Sequence, residues 1–303
     1  MHNKPILLQA RPYRFGREEE MVHGTIHRIR KTAGRLPQEP SYFKTRALLR
    51  SHSVGTVCAE AGCPNRWECY SRGTVTVLIM GKRCTRACSF CGIARGLPEP
   101  LDPGEPARVA RMAGELGIRH LVITSVARDD IPDMGASHFR EAVAAVKMAG
   151  RQVTVEALVP DFGGEESSIS TVVEGGCDIL SHNMETARRL FPYIRPSYDY
   201  DRSLAVLVRA GEMGATTKSG MMLGLGERTG EARECIRHIR EAGCSWITIG
   251  QYLRPTKRHP PVAKFYNKEE FEDLADYARS LGFRYVASAP RVRSSYRGDC
   301  LFR

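Results

Sequence analysis

The chain has no apolar run near the roughly 20 residues that span a bilayer, which excludes a helical membrane protein. Its first thirty residues contain no apolar signal core, and Glu18-Glu19-Glu20 is out of place in an organellar presequence, so a cytoplasmic location is expected. No internal repeat and no low-complexity segment occurs, which sets aside solenoids and arrays. Recognised nucleic-acid motifs are also missing, and the basic residues are spread along the chain. Basic residues still exceed acidic ones, 45 against 34, for a net charge of +11. An anionic partner follows, and charge alone does not choose between nucleic acid and an acidic protein.

Ten cysteines are present, but in a chain of 303 residues they do not read as the disulfide framework of a small secreted domain. Six of them fall within 34 residues, a clustering that points to metal in a reducing compartment. Cys84, Cys88 and Cys91 directly follow the β-branched segment Thr74 to Met80 (TVTVLIM), which reads as a buried strand. A loop leaving the end of a strand is where α/β folds keep their chemistry. Zinc sites usually take four ligands, and this C-x3-C-x2-C loop has no fourth thiol nearby. An iron–sulfur cluster on three thiolates instead keeps one iron open to an outside ligand. The triplet that comes first in the chain, Cys58, Cys63 and Cys69, has C-x4-C-x5-C spacing, which is no familiar zinc pattern. Of the remaining cysteines, Cys177, Cys235 and Cys244 lie in or beside apolar segments and read as core packing. Cys300 carries no assigned role.

Residues 1 to about 50 read as a basic, extended wrap with one short helix around Thr45 to Arg50. Beyond them the pattern alternates. Strand-like segments at 74–80, 120–124, 152–158, 178–181, 216–223 and 246–250 are each followed by helical sequence, and 283–287 forms a last extended piece. Six such units predict an α/β fold with a parallel sheet and right-handed crossovers, a partial (β/α)6 TIM-like barrel open on one side. The expected boundaries are an N-terminal extension to residue 73, the barrel over 74–287, and a C-terminal tail from 288. Polar and glycine-rich segments fall after the second, fourth, fifth and sixth of these strands: Thr124 to Asp130, Ser181 to Thr186, Met222 to Glu227 and Gly250 to Pro255. Singly, the pair Asp129-Asp130 reads as a cap or turn, His182 as a satisfied core histidine, and the Gly224-x-Gly226 pair as a tight turn. Their common position on one sheet edge makes a site the better reading.

The Cys84/Cys88/Cys91 loop resembles that of radical S-adenosylmethionine enzymes, in which the cofactor's methionine chelates the open iron and the aromatic at Phe90 packs near adenine. From about Thr45 to Gly298 the chain resembles the lipoyl synthases more closely. The resemblance is carried by Thr56 to Asn65 (TVCAEAGCPN), the second cysteine loop, Val122 to Asp130, Leu158 to Phe162, His182 to Thr186, Lys218 to Glu227, Thr248 to Pro255 and Arg293-Ser-Ser-Tyr296. It implies two 4Fe-4S clusters and S-adenosyl-L-methionine as cofactors. One cluster, on Cys84, Cys88 and Cys91, would cleave the cofactor. The other, on Cys58, Cys63 and Cys69, would have Ser295, in preference to Ser294, as its fourth ligand and would give up sulfur to C6 and C8 of an octanoyl chain. A Ser-Ser pair near a C-terminus otherwise reads as a polar tail. A hard serine oxygen is a poor match for iron among thiolates, as befits a ligand that leaves.

The implied cofactor contacts are Thr124, Ser125, Asn183, Glu185, Gly224 and Gly226, with Arg293 and Tyr296 holding the tail. The implied partners are an octanoylated lipoyl-carrier protein (the H protein or a dehydrogenase E2 domain), a ferredoxin- or flavodoxin-type electron donor and an iron–sulfur carrier, with neither nucleic acid nor membrane. An acidic carrier fits the net charge. The chain departs from the family pattern at Arg66-Trp67, at Lys82-Arg83, in the segment Lys31 to Arg35 and after Tyr296, positions expected to line the carrier's approach. A paralogue acting on another acyl chain or carrier is the alternative enzyme; a zinc-bearing nucleic-acid-binding protein is the alternative outside catalysis.

Overall fold

A computed structural model of the chain describes residues 39–149 and 153–295. Seven strands form one parallel sheet: β1 Thr76–Ile79, β4 His120–Ser125, β5 Thr154–Leu158, β6 Ile179–Ser181, β7 Thr216–Leu223, β8 Trp246–Gln251 and β9 Tyr285–Ser288, in that spatial order. A two-residue pair, β2 Arg83–Cys84 and β3 Ala94–Arg95, forms a separate ribbon inside the second cysteine loop. All four residues of β1 are buried, as expected for a strand covered on both faces. The sheet runs from β1 to β9, and no pairing closes it among the described residues.

Six helix-bearing crossovers join the strands, matching the six expected units. The sheet adds β9, paired with β8 in the register Trp246↔Tyr285, where sequence gave only an extended piece. Its four residues are only half-buried, so its hydrophobic signal is weak. The crossover helices stop and start where local chemistry dictates. Helix α4 (Glu105–Leu116) ends at Gly117, whose φ of 65° is left-handed and costs a glycine little. Helix α8 (Tyr200–Glu212) is capped by the Asp199 carboxylate accepting from Arg202 N at 2.8 Å. Helix α10 (Lys268–Ser280) begins with a reciprocal Asn267–Glu270 capping box. One apolar core packs α4, α5 (Ala136–Met148) and α6 (Glu166–Glu174) on β1, β4 and β5. Another packs α8, α9 (Thr229–Glu241) and α10 on β7 and β8.

Three helices precede the sheet. α1 (Pro40–Ser51) is longer than the expected 45–50 helix, because Tyr42 extends its buried face onto Trp67 and Tyr70 at ring separations of 4.5 and 5.7 Å. α2 (Val57–Glu60) and α3 (Arg66–Ser71) carry the first cysteine triplet. A bridge from Thr56 to Val77, and a hydrogen bond from Leu78 N to Gly55 O at 3.0 Å, tie this segment to β1. Cys235 and Cys244 are buried and Cys177 packs beside the core. The expectations for residues 1–38, Tyr296 and Cys300 lie outside the described residues.

The strands also bury a polar network. Lys218 of β7 donates to both carboxylate oxygens of Glu156 on β5, at 3.1 and 2.8 Å. Ser181 of β6 donates to the same carboxylate at 2.7 Å, and His120 Nε2 stands 3.4 Å from it. Burial alone would raise the Glu156 carboxyl, but the Lys218 ammonium and His120 hold it down at about 2. Its stabilisation is therefore complete above the ordinary carboxylate value near 4.5 and is lost as pH falls through about 2. Glu156→Gln leaves the Lys218 charge buried and unpaired, and should cost about 3–5 kcal/mol in urea unfolding at neutral pH. The same variant should flatten the acid limb of the stability curve; an unchanged midpoint and acid limb would refute this account.

Candidate active site

The second cysteine loop leaves β1 through Met80 and Gly81, both at positive φ (66° and 94°). Its geometry is fixed from several elements. Ala127 N, beyond β4, and Arg86 N both donate to Cys84 Sγ, at 3.3 and 3.4 Å. Ser89 N donates to Ile194 O at 2.9 Å, and His259 Nε2 lies 3.0 Å from Cys91 O. Within the loop, Arg86 is buried and paired with Asp129 at 2.6 Å and with Asp161. Arg86 and Arg195 both stack on the Tyr198 ring, at 4.2 and 3.7 Å. Burial opposes the Arg86 charge, but the two carboxylates hold its pKa above the ordinary value. Amide hydrogen bonds to sulfur suit an iron–sulfur thiolate, whose potential they tune. Burial pushes the Cys91 thiol up to about 12 and raises that of Cys88.

The first triplet surrounds a cavity lined by Cys58, Cys63, Cys69, Thr76, Arg293 and Ser295. Burial and the neighbouring thiols push Cys58 up to about 11 and Cys69 to about 12. Thr76 donates to Ser295 Oγ at 2.6 Å, keeping that hydroxyl on the cavity wall. Ser294 is engaged elsewhere: its Oγ accepts from Asn183 Nδ2 at 2.6 Å and its carbonyl from Lys218 Nζ at 2.5 Å. Asn65, between Cys63 and Cys69, donates to the tail carbonyl of Arg291 at 2.6 Å. The donor set is thus three thiols and one hydroxyl, which fits an iron–sulfur cluster with one weak ligand.

The two loops touch. A Cβ built on Gly92, next after Cys91, would stand 3.0 Å from the carbonyl oxygen of Ala61, between Cys58 and Cys63. Only a glycine allows this approach without a shift. Among the described residues, no three His, Cys, Asp or Glu side chains converge to hold a single metal ion. A four-iron cluster sets each thiolate on its own iron and asks for no such convergence.

The expected cofactor residues divide into two groups. Ser125 Oγ and Asn183 Oδ1 are buried without a partner, as groups awaiting a polar ligand would be. Asn183 also donates to Glu185 at 3.0 Å. Glu185 sits at φ 66° and bridges to Met221; burial raises its carboxyl, against the pull of Arg195 and Asn183. Phe90 packs with Met222 and Val262 around Leu225 and Tyr252. Thr124 donates to Leu158 O at 2.9 Å and so braces the sheet. Gly224 and Gly226 form a turn that closes on itself, since Glu227 accepts from Gly224 N and Leu225 N at 2.6 and 2.9 Å. A Cβ on Gly224 would meet Gln251 and the Lys264 carbonyl, so chain packing already requires glycine there. His182 is buried with its Nδ1 2.9 Å from Val159 O, and burial lowers it to about 3, so it is neutral.

Sequence reasoning missed the roles of two cations, Arg195 and Lys218. Arg195 donates to Asn183 O at 2.5 Å and lies within electrostatic reach of both Cys88 and Glu185. Half-buried Arg293, expected from the sequence to hold the tail, feels both Cys63 and Glu185, so it lies between the two sites. Lys218 grips the tail. Lys218 opens the segment Lys218 to Glu227 that carries the resemblance, whereas Arg195 lies outside every such segment.

Residues 78–239 match the Radical SAM superfamily. The chain is 46% identical over 284 residues to the lipoyl synthase of Nitrosococcus oceani, covering 92% of this chain and 88% of that one. It is 49% identical to the lipoyl synthase of Caldanaerobacter subterraneus subsp. tengcongensis, covering 84% and 89% respectively. Among solved structures, methylornithine synthase aligns over 90% of this chain and 86% of its own, with a TM-score of 0.51 at 15% identity. HydG, a maturase of the FeFe-hydrogenase, aligns over 87% and 70% with a TM-score of 0.53 at 14% identity. These two likenesses bear on the fold, a radical SAM partial barrel. With nearly half its residues shared along most of its length, the chain belongs to the lipoyl synthase family of the radical SAM superfamily.

Proposed function

We propose that this chain replaces one hydrogen at C6 and one at C8 of an octanoyl chain, amide-linked to a carrier-protein lysine, with sulfur. The contact of the two cysteine loops at Gly92 and Ala61 carries this reading, because radical formation and sulfur donation have to meet on one fatty chain. When bound, the cluster on Cys84, Cys88 and Cys91 would supply an electron to S-adenosylmethionine and so a carbon radical able to take an unactivated hydrogen, while the cluster on Cys58, Cys63 and Cys69 would be the sulfur-bearing substrate. The chain's own residues position these groups and keep water and quenchers away.

In this reading residues to 73 and the tail from 288 hold the sulfur-donating cluster through Cys58, Cys63, Cys69 and Ser295. The barrel over 74–287 holds the initiating one. Ser125, Asn183 and Glu185 orient the methionine end of the cofactor, with Phe90 against its adenine and Thr124, Gly224 and Gly226 shaping the wall. Arg195 keeps the Asn183 carbonyl in place. Asn65 and Thr76 hold the tail across the first site. The net charge of +11 suits an acidic carrier, either an H protein or a dehydrogenase E2 domain. A ferredoxin- or flavodoxin-type donor supplies electrons and an iron–sulfur carrier rebuilds the spent cluster.

Anaerobically loaded protein should contain about eight irons. With reductant, S-adenosylmethionine and an octanoyl-lysine peptide, mass spectrometry should find two sulfurs in place of two hydrogens. Deoxyadenosine without sulfur transfer would favour a different acyl chain or carrier, and colourless protein holding only zinc would end the reading. Ser295→Ala should lose at least nine-tenths of product while the cluster on Cys84, Cys88 and Cys91 persists; full activity refutes Ser295 as ligand. The thiols of Cys58, Cys69 and Cys91, raised to about 11–12, have to lose protons when iron binds. Anaerobic iron and sulfide titration of the apoprotein should therefore release protons, with loading weaker at pH 6 than at pH 8; loading independent of pH would contradict the buried-thiol account.

A further inference from the structure

We propose that Lys218 is a positioning residue for the C-terminal tail: by holding the Ser294 carbonyl, it aims Ser295 into the cavity of the first cysteine triplet. The inference rests on the reading of Ser295 as a cluster ligand, and goes beyond it by naming the group that places that ligand.

Lys218 is 2% exposed and Glu156 fully buried. The ammonium group has three donors, and all three are committed: two to the Glu156 carboxylate and one to Ser294 O at 2.5 Å. No donor remains for a substrate, so a direct role at the reacting atoms is set aside. A stabilising role is also a poor account. Burying an ion pair costs desolvation, and an apolar pair of similar volume often serves as well or better. What an apolar pair cannot do is hold a carbonyl.

The Ser294 carbonyl belongs to the planar peptide unit that continues into Ser295, so fixing its oxygen fixes the direction in which the next residue departs. Two neighbours divide the serine pair consistently with that orientation. Asn183 takes the Ser294 hydroxyl at 2.6 Å, and Thr76 takes the Ser295 hydroxyl at 2.6 Å on the cysteine side. Depth is set by a third feature: a Cβ on Gly250 would stand 2.1 Å from Val292 O, so the tail lies closer to β8 than any side chain there would permit. Lys218 is the only charged side chain among these contacts, and the carboxylate behind it holds it still.

The test compares wild type, Ser295→Ala, Lys218→Met and the paired Lys218→Met/Glu156→Leu. The paired variant removes both charges, so it keeps the test alive should Lys218→Met, with Glu156 unpaired, fail to fold. Two measurements are made. The first is trypsin cleavage of the cluster-free chain after Arg291 and Arg293. The second is the Mössbauer signature of the first cluster in loaded protein without substrate. Loss of one charged hydrogen bond should speed tail cleavage about tenfold in the paired variant. Its Mössbauer spectrum should match that of Ser295→Ala. Cleavage at the wild-type rate, or faster cleavage with a wild-type spectrum while Ser295→Ala is altered, overturns the role of Lys218 and leaves Ser295 standing. A wild-type spectrum in Ser295→Ala itself withdraws the ligand reading and this inference together.

Discussion

The distance between two backbones decides what this protein can be. Gly92 lies against Ala61 so closely that a single methyl group would stand 3.0 Å from a carbonyl oxygen. That contact joins the loop of Cys84, Cys88 and Cys91 to the loop of Cys58 and Cys63. A primary carbon radical attacks whatever is nearest, so a sulfur donor on another face of the molecule would be useless to it. Strand β1 makes the contact possible. It is short and fully buried, with the first triplet's cavity at its start and the second loop leaving its end.

Both loops are held by the protein's own polar groups. Arg86 binds two carboxylates beneath the second loop, and the Lys218–Glu156 pair stands beneath the tail. Buried charges of this kind are weak contributors to net stability and strong determinants of geometry. They also resolve a difficulty of the thiol-lined sites. Burial raises the thiols of Cys58, Cys69 and Cys91 and so disfavours their charged forms, which limits repulsion within each loop before iron binds.

The barrel and the cysteine sites were legible because each has a short-range signature. Strands such as TVTVLIM are β-branched or apolar throughout, as suits a doubly covered parallel strand, and C-x3-C-x2-C lies within eight residues. β9 was half legible, since an edge strand with one face exposed carries a mixed pattern. The capture of Ser295 by Thr76, 219 positions away, left no trace in local pattern, and neither did the hold of Lys218 on Ser294. Gly224 has a second reason to be glycine, which its sequence position did not reveal. A glycine pair after a strand has the look of a ligand cradle, yet the Glu227 carboxylate occupies the amides and Gln251 the space.

In the proposed role of Ser295, the tail would make a weak ligand dependable. Serine oxygen binds iron poorly beside thiolates, so affinity alone would leave it free to wander. Hydrogen bonds from Asn65, Asn183 and Lys218 fix the chain on either side of Arg293, and Thr76 fixes the hydroxyl itself. The ordering entropy of the segment is thereby met by contacts that do not involve the metal. A ligand placed this way needs little bond strength to stay and has little to lose on leaving. In the proposed reaction both properties would serve, because a ligand at Ser295 would hold the resting cluster and give way when sulfur is donated.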